Sequence, residues 1–181
     1  MYIGEKIRLR EYRKSDIIDA QRYLNDSEIK KYIMSGIPYL YTLTDEEKWF
    51  ENVSATKDTY NFAIETIEEK LYIGGCGIDN VDWKNSIVVV GIFIGNKEYL
   101  NKGYGTDAMN VLISFIFNQM NINKIKLNVY SFNERAIKSY KKSGFIIEGV
   151  LRDEIYRDGQ YYDKITMGLL KKDFIKGLGE K

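Results

Sequence analysis

Leu100-Asn101-Lys102-Gly103-Tyr104-Gly105-Thr106 joins two segments of unlike pattern. Before it runs Ile87-Val88-Val89-Val90-Gly91-Ile92-Phe93-Ile94, apolar on both faces, as expected of a central strand covered on both sides. Gly91 within that run marks a bulge or a close approach by another group. After the segment, Ala108, Leu112, Phe115, Ile116 and Gln119 recur at helical spacing, which predicts a helix over 105–120 with Asp107 placed to complement its dipole. A glycine loop at such a junction offers unpaired N–H groups and the positive end of the dipole, a setting that favours phosphate. Gly103 and Gly105 permit close approach, Asn101 tolerates a left-handed conformation, Lys102 adds charge and Thr106 can donate a hydroxyl. Glycines in a plain strand-to-helix turn explain the segment equally well. Gly103-x-Gly105-x-x-Ala108 also fits the dinucleotide fingerprint formally, but 128–133 lacks the acidic residue that should follow the next strand. A nucleoside triphosphate loop needs Gly-Lys-Ser/Thr, an order that Gly105-Thr106 does not have.

Working outward toward the N-terminus, 6–11 reads as a strand, and 16–24 and 45–53 as helices, the second carrying Trp49 and Phe50 and capped by Thr42 or Thr44. Between the helices, 35–41 is a tyrosine-rich loop, suited to cover a pocket or to serve as an ordinary surface connection. Short polar turns separate strands over 60–66, 71–78 and 86–94, implying antiparallel hairpins. On the C-terminal side, Ile125, Leu127 and Val129 alternate with Lys126 and Asn128 in a strand over 124–130. A helix over 133–142 follows, stopped by Gly144, and strands over 145–156 and 161–169 meet at the tight turn Asp158-Gly159. Residues 1–172 read as a single α/β domain with a mixed sheet, helices on both faces and one strand-helix-strand crossover, and 173–181 as a short frayed tail.

Composition narrows the chemistry. Lys plus Arg number 27 against 26 for Asp plus Glu, which gives no reason to expect nucleic acid or an anionic membrane as partner and points to a small, discrete ligand. The N-terminus lacks an apolar h-region and no stretch nears the roughly 18 apolar residues of a membrane span, so a cytoplasmic location is expected. With no histidine and one cysteine, imidazole bases, internal disulfides and the usual zinc ligand sets are excluded, and no metal is expected. Proton transfer falls to Tyr, Glu, Asp, Lys or water. Cys76, among glycines and apolar neighbours, reads as a structural strand residue.

Four pieces, in order and spacing, resemble the GNAT superfamily of acetyltransferases, in the branch of the ribosomal-protein-alanine and spermidine N-acetyltransferases. They are Gly91-Ile92-Phe93-Ile94; Lys102-Gly103-Tyr104-Gly105-Thr106; Asn133-Glu134-Arg135-Ala136 with Tyr140 and Gly144-Phe145; and Glu148-Gly149-Val150-Leu151-Arg152. The resemblance implies an acyl-CoA N-acyltransferase fold, a mostly antiparallel seven-stranded sheet splayed between strands 4 and 5. It implies acetyl-CoA as co-substrate and direct attack, in a ternary complex, by the primary amine of a small molecule or peptide N-terminus. Backbone groups of Ile92, Phe93 and Ile94 would pair with pantetheine and polarise the acetyl carbonyl, and Leu100 to Thr106 would hold the pyrophosphate. Asn128, Asn133, Arg135 and Ala136 would complete the cofactor site, with Tyr140 protonating the leaving thiolate. Leu100 stands where that motif usually has Arg or Gln, which leaves the phosphates to Lys102 and the amides.

Each role has a plainer counterpart. Tyr140 can be a packed core tyrosine, and Asn133 caps a helix by default. Glu65 and Asp79 are candidate bases by location only, and surface carboxylates or a water chain serve as well. The acceptor pocket is expected from 32–41, the N-terminal helices and 155–162, where Tyr39, Tyr41, Tyr156, Tyr161 and Tyr162 are aromatic and Asp26, Glu28, Asp153 and Glu154 could bring carboxylates for a polyamine. The C-terminal strands are compatible with a homodimer. An acyl-CoA sensor without turnover is the alternative to the enzyme, and a nicotinamide-dependent redox protein is disfavoured by the strand order.

Overall fold

The computed structural model describes residues 2–55 and 60–179. Its seven strands are β1 (Ile7–Arg10), β2 (Tyr60–Thr66), β3 (Tyr72–Asp82), β4 (Ile87–Ile94), β5 (Lys124–Tyr130), β6 (Ile146–Arg157) and β7 (Gln160–Leu170), forming one sheet in the order β1-β2-β3-β4-β5-β7-β6. Every pairing is antiparallel except β4 with β5. The helices are α1 (Ile17–Asn25), α2 (Ser27–Ile33), α3 (Leu43–Ala55), α4 (Tyr104–Gln119), α5 (Glu134–Lys142) and α6 (Lys171–Gly179). The tight turn Asp158-Gly159 has both residues at positive φ, as a type I′ hairpin requires.

The main core lies where α4 covers the sheet. Ala108, Met109, Leu112, Ile113 and Ile116 of α4 pack on Ile7, Ile64, Ile73, Ile78, Val88 and Ile125. On the opposite face Ala20, Tyr23, Ala63 and Tyr72 make a smaller cluster beneath α1. Only one face of β4 is sealed in this way: Val88 and Val90 are buried, while the other face is half open rather than doubly covered.

Asp107 does more than complement a dipole. Its carboxylate accepts from the backbone N–H groups of Glu5 (3.1 Å), Lys6 (2.8 Å) and Ile7 (3.1 Å), tying the first strand to the start of α4. Asp107→Ala is expected to lower folding free energy by about 2 kcal/mol, read as a shifted urea midpoint, because three backbone donors lose a charged acceptor.

Three local differences from the sequence reading have physical causes. The bulge lies in β3, not at Gly91: Gly91 pairs regularly with Gly77, and the register shifts between Ile78 and Asn80, leaving Asp79 as the extra residue. A short helix, α2, follows α1 directly because Asp26 caps it, accepting from the N–H groups of Glu28 and Ile29. The expected frayed tail is instead largely helical: α6 continues from β7 and Phe174 packs on Phe117, ring centroids 5.2 Å apart. Residues 180–181 lie outside the described residues.

Candidate active site

β4 and β5 pair only from Ile87 to Val89 and from Lys124 to Lys126, then part. β5 turns its other edge to β7 along its whole length, and β4 keeps β3 on one side. From residue 90 onward the free edge of β4 therefore faces a gap, and alternate N–H and C=O groups of 90–94 have no strand partner there. The gap opens into a cleft of about 1100 Å³ lined by Ile92, Phe93, Ile94, Leu100, Asn101, Gly103, Gly105, Thr106, Asn128, Asn133, Arg135, Ala136 and Tyr140. The β4 edge, the glycine loop and the Tyr140 helix thus share one space.

At one end of the cleft the chain presents an anion site. Among the described residues no side chain caps α4, whose cap residue is Gly103 at φ +89, which leaves the N–H groups of its first turn open there. Asn101, at φ +61, supplies the left-handed step before it. The Thr106 and Ser139 hydroxyls lie 2.7 Å apart beside the loop, and Arg135, Lys138 and Lys142 line the cleft from α5. Lys102 and Tyr104 do not line it. Lys102 is exposed, and its carbonyl accepts from Lys6 Nζ at 2.9 Å, which braces the loop from behind; Tyr104 packs edge-on against Tyr99. Asn133 caps α5 by accepting from the Ala136 N–H while facing the cleft. Gly103→Ala, forcing a side chain into the left-handed region at about 1–2 kcal/mol, is expected to raise the acetyl-CoA Kd about tenfold by calorimetry. Lys102→Ala, which alters only an exposed charge, should change it less than about fivefold.

Tyr140 stands on α5 against Phe145, ring centroids 6.1 Å apart. Burial pushes its phenol up to about 12, with the charge of Arg135 pulling the other way. Cys76 is buried, which drives its thiol far above the range in which a thiolate forms.

The remaining candidates separate. Asp79 lines the cleft; Glu65 and Tyr39 do not. Glu65 is 1% exposed and clamped by the guanidinium groups of Arg8 and Arg10, with Arg13 at 3.4 Å, which leaves it no freedom to reach a substrate. Tyr39 is 55% exposed, its ring against Tyr41, and its carbonyl accepts from Lys30 Nζ. Tyr41, Tyr156, Tyr161 and Tyr162 also lie away from the cleft. The tyrosine-rich loop is strapped to α1, through Gln21 and Asn25 on the Tyr41 backbone, and only Ser35 of it lines the cleft. Asp26 and Glu28 are engaged by Lys97, and Glu154 by Lys164. Aromatic lining at this end comes from Tyr12, Tyr32, Trp49 and Tyr130; Tyr32 lies in the stretch expected to build the acceptor pocket, whereas Tyr12 carried no periodic or motif signal.

A sheet parted beside an uncapped helix N-terminus, with a free strand edge between them, is the cleft of a CoA-dependent acyltransferase. The chain belongs to the acetyltransferase (GNAT) domain family, which matches residues 6–146. It is 28% identical over 172 residues to the uncharacterized N-acetyltransferase p20 of Bacillus licheniformis, covering 94% of this chain and 96% of that protein. It is 23% identical over 179 residues to the spermidine N(1)-acetyltransferase of Escherichia coli K12, covering 95% and 90%. A crystal structure of spermidine N-acetyltransferase from Vibrio cholerae, in complex with CoA and spermine, shares the fold with a TM-score of 0.84 at 24% identity, covering 93% of this chain and 98% of that one. The chain is an acetyl-CoA-dependent N-acetyltransferase. Among the described residues no helix is long and apolar enough to cross a membrane, and no cluster of His, Cys, Asp and Glu could hold a metal ion.

Proposed function

We propose that the protein moves acetyl from acetyl-CoA to the primary amine of a small molecule or a peptide N-terminus by direct attack in a ternary complex. The observation that carries this reading is that the free β4 edge and Tyr140 line one continuous cleft. Within it, backbone groups of Ile92 to Ile94 pair with the pantetheine amides as if these were an added strand, and one N–H polarises the acetyl carbonyl, a donor worth roughly 3–4 kcal/mol in comparable oxyanion sites. First-turn amides of α4, the Thr106 and Ser139 hydroxyls and the α5 cations hold the phosphates. Tyr140 gives its proton to the departing sulfur. No imidazole or low-pKa thiol lies in the cleft to carry an acetyl-enzyme, which favours the direct route. Relatives named spermidine N(1)-acetyltransferase support a small cationic amine as acceptor.

The test is CoA release from acetyl-CoA with a panel of peptides beginning in Ala or Ser, spermidine, amino sugars and aminoglycosides. At least one class should give saturable release. Tight acetyl-CoA binding without release for every amine would make the protein a sensor.

A further inference from the structure

Three glycines form one patch of the sheet face opposite α4. Gly75 and Gly77 are two residues apart on β3, and Gly77 pairs with Gly91 on β4. Each lies beneath a side-chain oxygen from elsewhere. The Tyr12 hydroxyl sits over Gly75, the Asn61 side-chain oxygen over Gly77, and an Asp79 carboxylate oxygen lies 3.1 Å from where a Cβ on Gly91 would be. A methyl group at Gly75 or Gly77 would collide with the oxygen above it. All six residues line the cleft. Asp79 shares the face of Gly75 and Gly77 by the alternation of β3, and as the extra residue of the bulge, where β4 leaves β5, its carboxylate lies against Gly91.

Resting on the acetyltransfer reading, we propose that this oxygen row is the acceptor's ammonium site, and that Asp79 takes the proton which frees the amine for attack. Oxygens accept and ammonium groups only donate, so a row of a hydroxyl, an amide oxygen and a carboxylate selects a protonated primary amine. Of the two carboxylates lining the cleft, Glu134 is exposed and paired with Lys138, whereas Asp79 has no ion pair among the described residues. Asp79 is open to solvent in the cleft, yet the surrounding protein is close enough for desolvation to raise its pKa, which brings it nearer to that of an amine. Tyr12, whose hydroxyl belongs to the row, and Trp49, in edge contact with it at 4.8 Å, flank the row with aromatic surface, where a cationic alkyl stem is favoured.

The protons balance. Asp79 takes one from R–NH3+, leaving R–NH2, whose lone pair forms the C–N bond as the C–S bond breaks. Tyr140 protonates the thiolate, the second nitrogen proton restores Tyr140, and Asp79 releases its proton to solvent, one per turnover.

The test compares Asp79→Asn with the wild type in CoA release between about pH 6 and 9, with acetyl-CoA affinity followed by calorimetry. Acetyl-CoA Kd should stay within about twofold, because Asp79 lies away from the phosphate end, while kcat/KM for the amine falls about 10²–10³-fold at neutral pH. The deficit should shrink as pH rises, since more amine arrives already neutral. A deficit equal at every pH, or wild-type activity, overturns the proposal. Should Asp79→Asn not fold, Asp79→Glu keeps the acid and should keep a pH-dependent limb; its absence counts equally against the site. A wild type that turns over no amine defeats the acetyltransfer reading instead. Calorimetric titration of the CoA-loaded protein with n-butylamine then judges the ammonium site alone, which requires weaker binding by Asp79→Asn.

Discussion

Tyr140→Phe is expected to lower kcat with a cognate amine by about 10²–10⁴-fold, the usual range for a lost general acid, while leaving acetyl-CoA affinity within about twofold. Phenylalanine keeps the ring, so the edge contact with Phe145 and the packing of α5 survive and only the hydroxyl is lost. With the phenol pushed up to about 12, the proton to be given is present throughout the working range. The same shift limits how it can be given. A thiol is ordinarily the stronger acid, and burial of Tyr140 widens that difference, which favours proton transfer during C–S cleavage over transfer to a free thiolate. The nitrogen proton then replaces the one that leaves. Two readouts follow: the profile of kcat should show no alkaline limb from tyrosine below about pH 11, and a poorer leaving thiol in an acetyl-CoA analogue should magnify the Tyr140→Phe defect. Full turnover by Tyr140→Phe would remove the acid role.

What could be read from residues alone was whatever local chemistry decides. The glycine loop, α4, the cap at Asn133 and the Asp158-Gly159 turn depend on neighbours within a few residues, and the structure has them where those signals lie. Seven strands and the crossover that sets β4 parallel to β5 were also legible in the pattern, whereas the parting of those two strands follows the resemblance. The oxygen row was not legible, because it needs the register of three strands: only when Asn61 pairs with Gly77, and Gly77 with Gly91, do these residues share a face. Gly91 signalled a close approach, and the approaching group is a carboxylate from the bulge of the preceding strand, β3. The α2 helix escaped notice because its seven residues carry two lysines, and one of them, Lys30, is buried to bind Asn25 and the Tyr39 carbonyl. Glu65 attracted attention as a carboxylate on an interior strand, a position that the arginines of β1 explain as well as catalysis does.

Glu65→Ala is expected to cost about 3–5 kcal/mol of stability, the range for removing one partner of a buried ion pair. Arg10 is 8% exposed and bridges two carboxylates, Asp16 through both terminal nitrogens (2.7 and 2.9 Å) and Glu65 through Nε. Without Glu65 its Nε is left buried beside an apolar sheet face. If charge burial is the cause, Arg10→Met with Glu65→Leu should recover much of the loss, since a matched apolar pair has no desolvation cost to offset. The pH dependence has a definite sign. Burial raises the Glu65 pKa, but hydrogen bonds and charge from Arg10 and Arg8 outweigh it, so the folded value lies below the unfolded one near 4.5. A depressed carboxylate contributes stability fully present above the unfolded pKa and lost as pH falls through the folded one. Urea midpoints of the wild type should therefore decline below about pH 4.5, and those of Glu65→Ala should decline less over the same window. Tyr12, whose hydroxyl caps Gly75 in the oxygen row, lies between Arg10 and Asp16, so the clamp that holds those two residues also fixes Tyr12. Loss of Glu65 should then raise the amine KM in molecules that remain folded while sparing acetyl-CoA affinity, a split that a Glu65 acting as base would not give, because a missing base lowers kcat.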